Sequence, residues 1–510
     1  MVDAPSHRGG PIDGDGPAAP GWGAGVKRGI AWSALTFGMS KALSLLSLLV
    51  LARLLVPAEF GVVAAVVAYM AIIEVVSDLG MKASVVYEQE RGVTSRVQTA
   101  WTANAAAAAL LAAVGVLAAP WLAGLFGVPD ETDLFRIGAL NIALAGLGNV
   151  HDALLLRDLA LNRRFVPQLV RDLLRVGVSV GLAFAGLGAA SMVWGYLVGT
   201  VGWVTTLWLL SPLRPDVSFD RRAARSMAGY GAAAASHQLL AALTTRADVI
   251  VIGAVLGTAQ LGIYTIAYRL PEVLLASVAY TLTVVAFPAL AMQRSQAEAG
   301  LAAATLALLR YQTLYAAALG TGLAVLSGPL VTVLFGARWA PAGPVMVALS
   351  VSFAVQASVF PLGDLLKAVD KQRILVAITL VELPLLFAGM VLAAQSSAEA
   401  VAWTLAGFTV AFAATVTRYV ARELGVGARE LLGAMAPGLA TGLGVAVGTL
   451  GAMAVAGDGI LAILIGTLAG ASSGALALRL AAPAFARDVA RQVRDVLRAR
   501  RRDPGAVAAG

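Results

Sequence analysis

Cysteine is absent from this 510-residue chain, which excludes disulfide frameworks, thiolate metal sites and cysteine nucleophiles. Histidine occurs only at His7, His151 and His237, too few and too scattered for a metal site. Charge is scarce. Asp, Glu, Lys and Arg make up 13% of the residues, against roughly 25% in soluble domains. No Walker-type Gly-rich loop ending in Lys-Ser/Thr occurs, so direct drive by ATP within the chain is not expected. Long polar stretches that could house a soluble kinase or glycosyltransferase domain are also missing.

What the chain has instead is apolar sequence: 59% of it is hydrophobic, with a mean hydropathy of +0.82. No water-soluble core needs that much. In a bilayer every backbone N–H and C=O needs an internal partner, which leaves helices or a closed barrel. The apolar runs are about 20 residues long and lack the two-residue alternation of barrel strands, so helices are expected. The spacing predicts an all-α membrane protein of about 14 transmembrane helices. They fall near residues 29–54, 60–82, 97–119, 134–156, 165–186, 190–211 and 226–255 in the first half. The second half continues with 259–289, 302–335, 342–366, 373–395, 398–419, 431–456 and 459–481.

Lysine and arginine concentrate in cytoplasmic loops. Here Lys27 and Arg28, Lys82 and Arg91, Arg157 and Arg163, Arg221 and Arg222, Arg294, Lys371, and Arg422 and Arg429 all fall on one side. The opposite loops hold Arg53 and Arg338 beside Glu59, Asp130, Glu131, Asp133, Glu399 and Asp458. This alternation predicts a multi-pass protein with both termini cytoplasmic. The net charge of +8 resides in these loops and in the C-terminal tail, so nucleic acid is not an expected partner.

A faint repeat sets the domain organisation. Leu51-Ala-Arg-Leu-Leu-Val-Pro-Ala-Glu-Phe-Gly61 aligns with Ile252-Gly-Ala-Val-Leu-Gly-Thr-Ala-Gln-Leu-Gly262. Both stretches fall in the first outer hairpin of a six-helix set, as in parallel-repeat transporters; a chance likeness of small-residue turns is the plainer reading. The expected domains are a disordered tail (1–26), an N-terminal six-helix lobe (27–211), a linker (212–225) and a C-terminal six-helix lobe (226–420). An additional helix pair (421–482) and a basic amphipathic tail (483–510) follow. The pair carries Gly466-x-x-x-Gly470-x-x-x-Gly474, a pattern for close helix packing. The tail has seven arginines between Arg487 and Arg502, and suits either an anionic leaflet or solvent.

Ionisable residues inside spans are costly and therefore candidates for function. The substrate-cavity candidates are Lys41, Arg246, Arg269 and Arg310. The carboxylates Glu74, Asp78, Asp248, Glu272 and Glu382 are candidates for ion coupling or for structural pairing. Glu74 and Asp78 could neutralise Lys41, and Arg269–Glu272, beside Pro271, could be a local ion pair. Asp248 could pair with Arg246. Arg171, Asp172 and Arg175 lie near enough to a basic loop to snorkel. A cavity holding several cations suits phosphate, whose oxygens match the guanidinium fork.

The segment from Leu51 to Gly61, continuing to Asp78-Leu-Gly80, resembles the opening of bacterial polysaccharide repeat-unit flippases of the Wzx type. These belong to the multidrug/oligosaccharidyl-lipid/polysaccharide exporter superfamily. The likeness continues through Arg246-Ala-Asp248, Leu261-Gly-Ile-Tyr264, Ala267-Tyr-Arg-Leu270, Phe287-Pro-Ala-Leu290, Leu334-Phe-Gly336 and Trp339. It implies a two-lobed alternating-access exporter in the bacterial inner membrane, not an enzyme and without a bound cofactor. Its cargo would be an undecaprenyl-diphosphate-linked oligosaccharide for exopolysaccharide, capsule or lipopolysaccharide O-antigen assembly. Proton or sodium coupling would fall to Glu74, Asp78 or Asp248. The polysaccharide polymerase and glycosyltransferases of the same pathway would be partners, beside membrane lipids. A peptidoglycan-precursor flippase or a drug/cation antiporter of the superfamily is the alternative. A membrane-embedded glycan polymerase is disfavoured because the outer loops are short.

Overall fold

The computed structural model describes residues 22–78, 93–158, 160–211, 213, 216, 220–279, 298–368, 371–457 and 459–502. Among them every regular element is a helix. Residues 1–21 of the expected tail, and Phe287-Pro-Ala-Leu290, lie outside the described residues.

The first lobe comprises α1 (Trp22–Leu54), α2 (Pro57–Asp78), α3 (Val93–Leu125), α4 (Thr132–Arg157), α5 (Leu161–Phe184) and α6 (Ala189–Leu210). The second begins with α7 (Arg221–Pro271) and continues with α8 (Glu298–Val325) and the short α9 (Ser327–Phe335). It closes with α10 (Ala342–Ala368), α11 (Gln372–Ala394) and α12 (Ala398–Leu424). The C-terminal pair is α13 (Ala428–Ala456) with α14 (Ile460–Ala481), followed by α15 (Pro483–Arg502).

Eleven helices are long and apolar enough to cross a membrane, or twelve if the pair α8–α9, bent by 69°, is one span. Two further adjustments have physical causes. α7 is one helix only nominally, because Gly257 adopts φ +80°, a conformation glycine reaches without steric cost. The chain reverses there, so the 38-residue segment Ala242–Ala279 makes two crossings. α5 is less apolar than the other spans because it carries Arg171, Asp172 and Arg175, yet it packs along α1 and α6. Counting both restores the fourteen crossings expected from the sequence.

Local chemistry ends the helices where the apolar runs end. Pro57 opens α2 at a position where its missing N–H costs nothing, and the Glu59 carboxylate accepts the Val56 N–H at 2.8 Å. Ser397 caps α12 by accepting from the Ala400 N–H at 3.1 Å, and Gly425, at φ +65°, stops it. Arg136, three residues beyond Asp133, pairs with it at 2.7 Å and so sits neutralised among the acidic loops.

The glycine stripe of α14 is a packing surface. Gly466, Gly470 and Gly474 are buried against α13, where a Cβ on Gly470 would strike the Thr449 hydroxyl and one on Gly474 the Val445 side chain. The Ser473 hydroxyl also donates to the Gly444 carbonyl at 2.7 Å. Gly470→Leu is therefore expected to cost roughly 1–3 kcal/mol by overpacking, read as a lowered unfolding temperature in detergent. An unchanged melt would show that the pair has slack.

Candidate functional site: a polar cavity between the lobes

At 1.5 Å per residue, Arg246 on the first arm of α7 and Arg269 on the second each lie roughly 17 Å from the turn at Gly257. That is mid-membrane depth for a hydrocarbon layer about 30 Å thick. The two arms face the first lobe across a small cavity of about 60 Å³. Leu48 of α1, Val63 and Val67 of α2, and Met192 and Tyr196 of α6 form its apolar wall. Arg246, Asp248, Tyr264, Tyr268, Arg269 and Glu272 form its polar wall.

Asp248 is 4% exposed and accepts two hydrogen bonds, from the Tyr264 hydroxyl at 2.7 Å and from the Val249 N–H at 2.7 Å. The first joins the two arms of α7. Arg269 pairs with Glu272 at 3.2 Å within a helical turn, with side chains 39% and 29% exposed. Pro271 has no N–H to give the helix, and the chain widens into a π turn over Glu272–Ala276. The Leu274 carbonyl in that turn accepts from the Tyr315 hydroxyl of α8. Arg246 has no hydrogen-bond or ion-pair partner among the described residues, which leaves its guanidinium available to the cavity.

A second charged group backs the first-lobe wall. Asp172, 2% exposed, pairs with Arg175 at 3.3 Å, and Arg175 also donates to the Ser44 hydroxyl of α1 at 2.8 Å. The Arg175 guanidinium lies 5.4 Å from the Tyr196 ring centre, and Arg171 lies 5.4 Å from that of Trp203. These charges are tied into the α1–α5–α6 contact rather than extended toward the basic loops. Tyr196 thus stands between this group and the cavity it lines.

The structure thus brings together four of the candidates, Arg246, Asp248, Arg269 and Glu272. The others lie elsewhere. The Lys41 ammonium sits 5.6 Å from the Phe37 ring on its own helix. Glu74 is half-buried further along α2, and the side chain of Asp78 lies outside the described ones. Arg310 has its guanidinium carbon 5.2 Å from the Phe485 ring of α15, where Gln492 also donates to the Tyr311 hydroxyl at 2.9 Å. Glu382 lines a groove between α11 and α12 with Phe408 and Tyr419. Tyr264 and Tyr268 stand in the motifs that carry the family resemblance, yet neither they nor Tyr196 are among the site candidates read from the sequence. A signal existed for Tyr264: Asp248 and Tyr264 stand at similar distances on either side of the hairpin turn.

The cavity is closed at the end that carries the α1–α2 and α7 turns. There the two halves of the repeat meet reciprocally. A Cβ on Gly61 would collide with the Thr258 carbonyl, and one on Gly262 with the Pro57 carbonyl. In the alignment of the repeat Gly61 corresponds to Gly262 and Pro57 to Thr258, so the contact has two-fold symmetry. Beside it, two arginines cap each other's helices. Arg53, at the end of α1, donates to the Val333 carbonyl at 2.8 Å, in the last turn of α9. Arg338, just after α9, donates to the Leu55 carbonyl at 3.2 Å, at the end of α1. Each places a cation on the electronegative end of a helix. Trp339, fully buried, donates to the Ala52 carbonyl at 2.8 Å and packs edge-on against Phe60 with ring centres 5.2 Å apart.

The polysaccharide biosynthesis protein family matches residues 50–344, a stretch that takes in both repeat hairpins and nearly all of the cavity. The succinoglycan biosynthesis transport protein ExoT of Rhizobium meliloti (strain 1021) is 27% identical over 64% of this chain and 66% of its own length. The lipopolysaccharide biosynthesis protein WzxC of Escherichia coli (strain K12) is 24% identical over 67% of this chain and 69% of its own. The chain thus aligns with about two thirds of these relatives. Among solved structures, the lipid II flippase MurJ in an inward closed conformation matches with a TM-score of 0.70 and 13% identity. That match covers 89% of this chain and 99% of that one, a likeness of fold. Two six-helix lobes enclosing a polar cavity agree with a family match over more than half the sequence, and the chain belongs to the polysaccharide biosynthesis protein family.

Proposed function

We propose that this protein moves a polyprenyl-diphosphate-linked oligosaccharide across the bacterial inner membrane by alternating access. The observation that carries the reading is the pairing of Arg246 and Arg269 at one mid-membrane depth in a cavity between the lobes. A diphosphate presents oxygens that both guanidinium forks can bind. Tyr196, Tyr264 and Tyr268 supply ring faces and hydroxyls suited to sugar, while the lipid tail stays in the bilayer. Arg269 already holds Glu272, so cargo phosphate would compete with that carboxylate and release it. Asp248, locked to Tyr264, is the coupling candidate nearest the cargo.

The excess of arginine at the end opposite the hairpins orients that end, with both termini, to the cytoplasm. In the closed arrangement of the hairpin end, loading occurs from the cytoplasmic side. At about 60 Å³ the cavity has no room for a sugar chain, so loading requires the lobes to part. ExoT and WzxC carry names tied to succinoglycan and lipopolysaccharide biosynthesis, which supports a glycan cargo delivered to a polymerase on the far side.

The test is leaflet transfer in proteoliposomes. With the purified protein, a polyprenyl-diphosphate oligosaccharide should become accessible to an external glycosidase in minutes. A glycan-free phospholipid should cross at the protein-free rate. Equal rates for liposomes with and without protein would defeat the proposal.

A further inference from the structure

A second, far larger cavity of about 1000 Å³ lies where the second lobe meets the C-terminal pair, between α8, α10, α12 and α13. It shares no lining residue with the central cavity. Its origin is geometric. α12 and α13 are joined by the tight Gly425–Gly427 turn, yet α13 packs on α8 and α14 rather than back on α12. The two helices diverge from the turn and leave a cleft between them. Gly320, Ala354, Ala413 and Ala421 make smooth walls, with Leu432 at one lip.

Such a cleft, open to a bilayer, has two unfavourable fillings. Left empty, its walls forfeit their dispersion contacts. Filled with water, it offers too few polar partners for ordered solvent. Hydrocarbon satisfies it. The lining has one charged residue, Arg418, near the end of α12 that carries the basic loops. Arg418 has no hydrogen-bond or ion-pair partner among the described residues. Arg422, one turn on, and Arg429, across the turn at the start of α13, are both exposed. Of their acidic neighbours Glu423 pairs with Lys371 at 3.4 Å and Glu430 accepts from the Gly427 N–H at 3.2 Å, which leaves the mouth net positive.

The dimensions choose between lipids. From Ala428 to Leu439 along α13 the cleft runs roughly 16 Å at 1.5 Å per residue, close to one leaflet of a hydrocarbon layer about 30 Å thick. A long polyprenyl tail would overrun it. We infer that this cleft is a binding site for an anionic bilayer phospholipid, its phosphate on Arg418 and its acyl chains between α12 and α13. The lipid fills the gap between α12 and α13, beside the α8–α13 contact that holds the C-terminal pair to the lobe. This goes beyond the transport proposed above and stands whichever cargo the central cavity takes.

The full-length protein, delipidated in mild detergent, is to be offered phosphatidylglycerol or phosphatidylcholine and read by native mass spectrometry and thermal unfolding. The protein should bind one phosphatidylglycerol, with a roughly fivefold preference over phosphatidylcholine, the effect of one arginine near anionic lipid. Arg418→Gln should bind both lipids alike. Ala414→Trp, which puts an indole in the path of the acyl chains, should weaken binding of both lipids and reduce the stabilisation by added phosphatidylglycerol. Should Ala414→Trp fail to fold, Arg418→Gln alone decides the matter. Equal binding of the two lipids by the unaltered protein overturns the proposal. So does displacement of phosphatidylglycerol by an equal amount of polyprenyl phosphate, which would assign the cleft to a cargo tail.

Discussion

Replacing Arg53 and Arg338 together by glutamine is expected to open the hairpin end. Each guanidinium donates to a carbonyl at the end of a helix in the opposite lobe, at 2.8 Å and 3.2 Å. A charge-assisted bond of this kind is worth roughly 1.5–3 kcal/mol. Both side chains are partly in solvent, so about 1 kcal/mol each is the fairer figure. Losing both should raise the open population about 30-fold. Because the chain has no cysteine, a single Thr265→Cys reports on the cavity it lines. Its rate of reaction with a membrane-impermeant maleimide added to the hairpin side should rise by that factor in the double variant. Trp339→Phe removes the bond to the Ala52 carbonyl and leaves part of a fully buried site unfilled, so it should also raise the labelling rate. If the double variant labels at the parent rate, the arginines do not hold the lobes together and the glycine contact alone closes this end.

The same two arginines show what was and was not legible in the sequence. As the basic residues of otherwise acidic loops they are anomalies against the charge rule. A linear pattern assigns a residue to a side of the membrane, but it does not pair α1 with α9. The helix count was readable because a bilayer imposes one length on every crossing. The reversal at Gly257 was readable as the break between the spans 226–255 and 259–289; the φ of +80° that makes it needs the backbone. The repeat itself looked weak because few positions recur. The structure gives the reason: Gly61 and Gly262 each face a carbonyl that leaves no space for a Cβ, while their neighbours tolerate exchange. At the central cavity, Arg246, Asp248, Arg269 and Glu272 could be found because buried charge is rare in a span. Lys41 and Arg310 were equally conspicuous, yet depth alone does not give the direction a side chain faces. Arg310 meets Phe485 from a helix that follows all the crossings. Tyrosines are ordinary in spans, so Tyr196, Tyr264 and Tyr268 carried no such mark.

Neutralising Arg246 and Arg269 is the change expected to act most strongly on transfer. A guanidinium–phosphate contact is charge-assisted, so losing one should slow transfer about 10- to 100-fold and losing both by more than 100-fold. The two single variants should differ in a telling way. Arg246→Gln breaks no described hydrogen bond or ion pair, though it removes a positive charge near the buried Asp248, and should act mainly on transfer. Arg269→Gln also strips Glu272 of its partner at 3.2 Å and should add a loss of stability. Glu272→Gln separates these effects, since it frees Arg269 for phosphate and should preserve transfer while lowering the unfolding temperature. Arg246→Lys keeps the charge but loses the fork, and should recover only part of the rate. Transfer at the parent rate by Arg246→Gln and Arg269→Gln, each inserted and folded, would remove both guanidiniums from the cargo path and leave Asp248–Tyr264 as a structural brace between the two arms of α7.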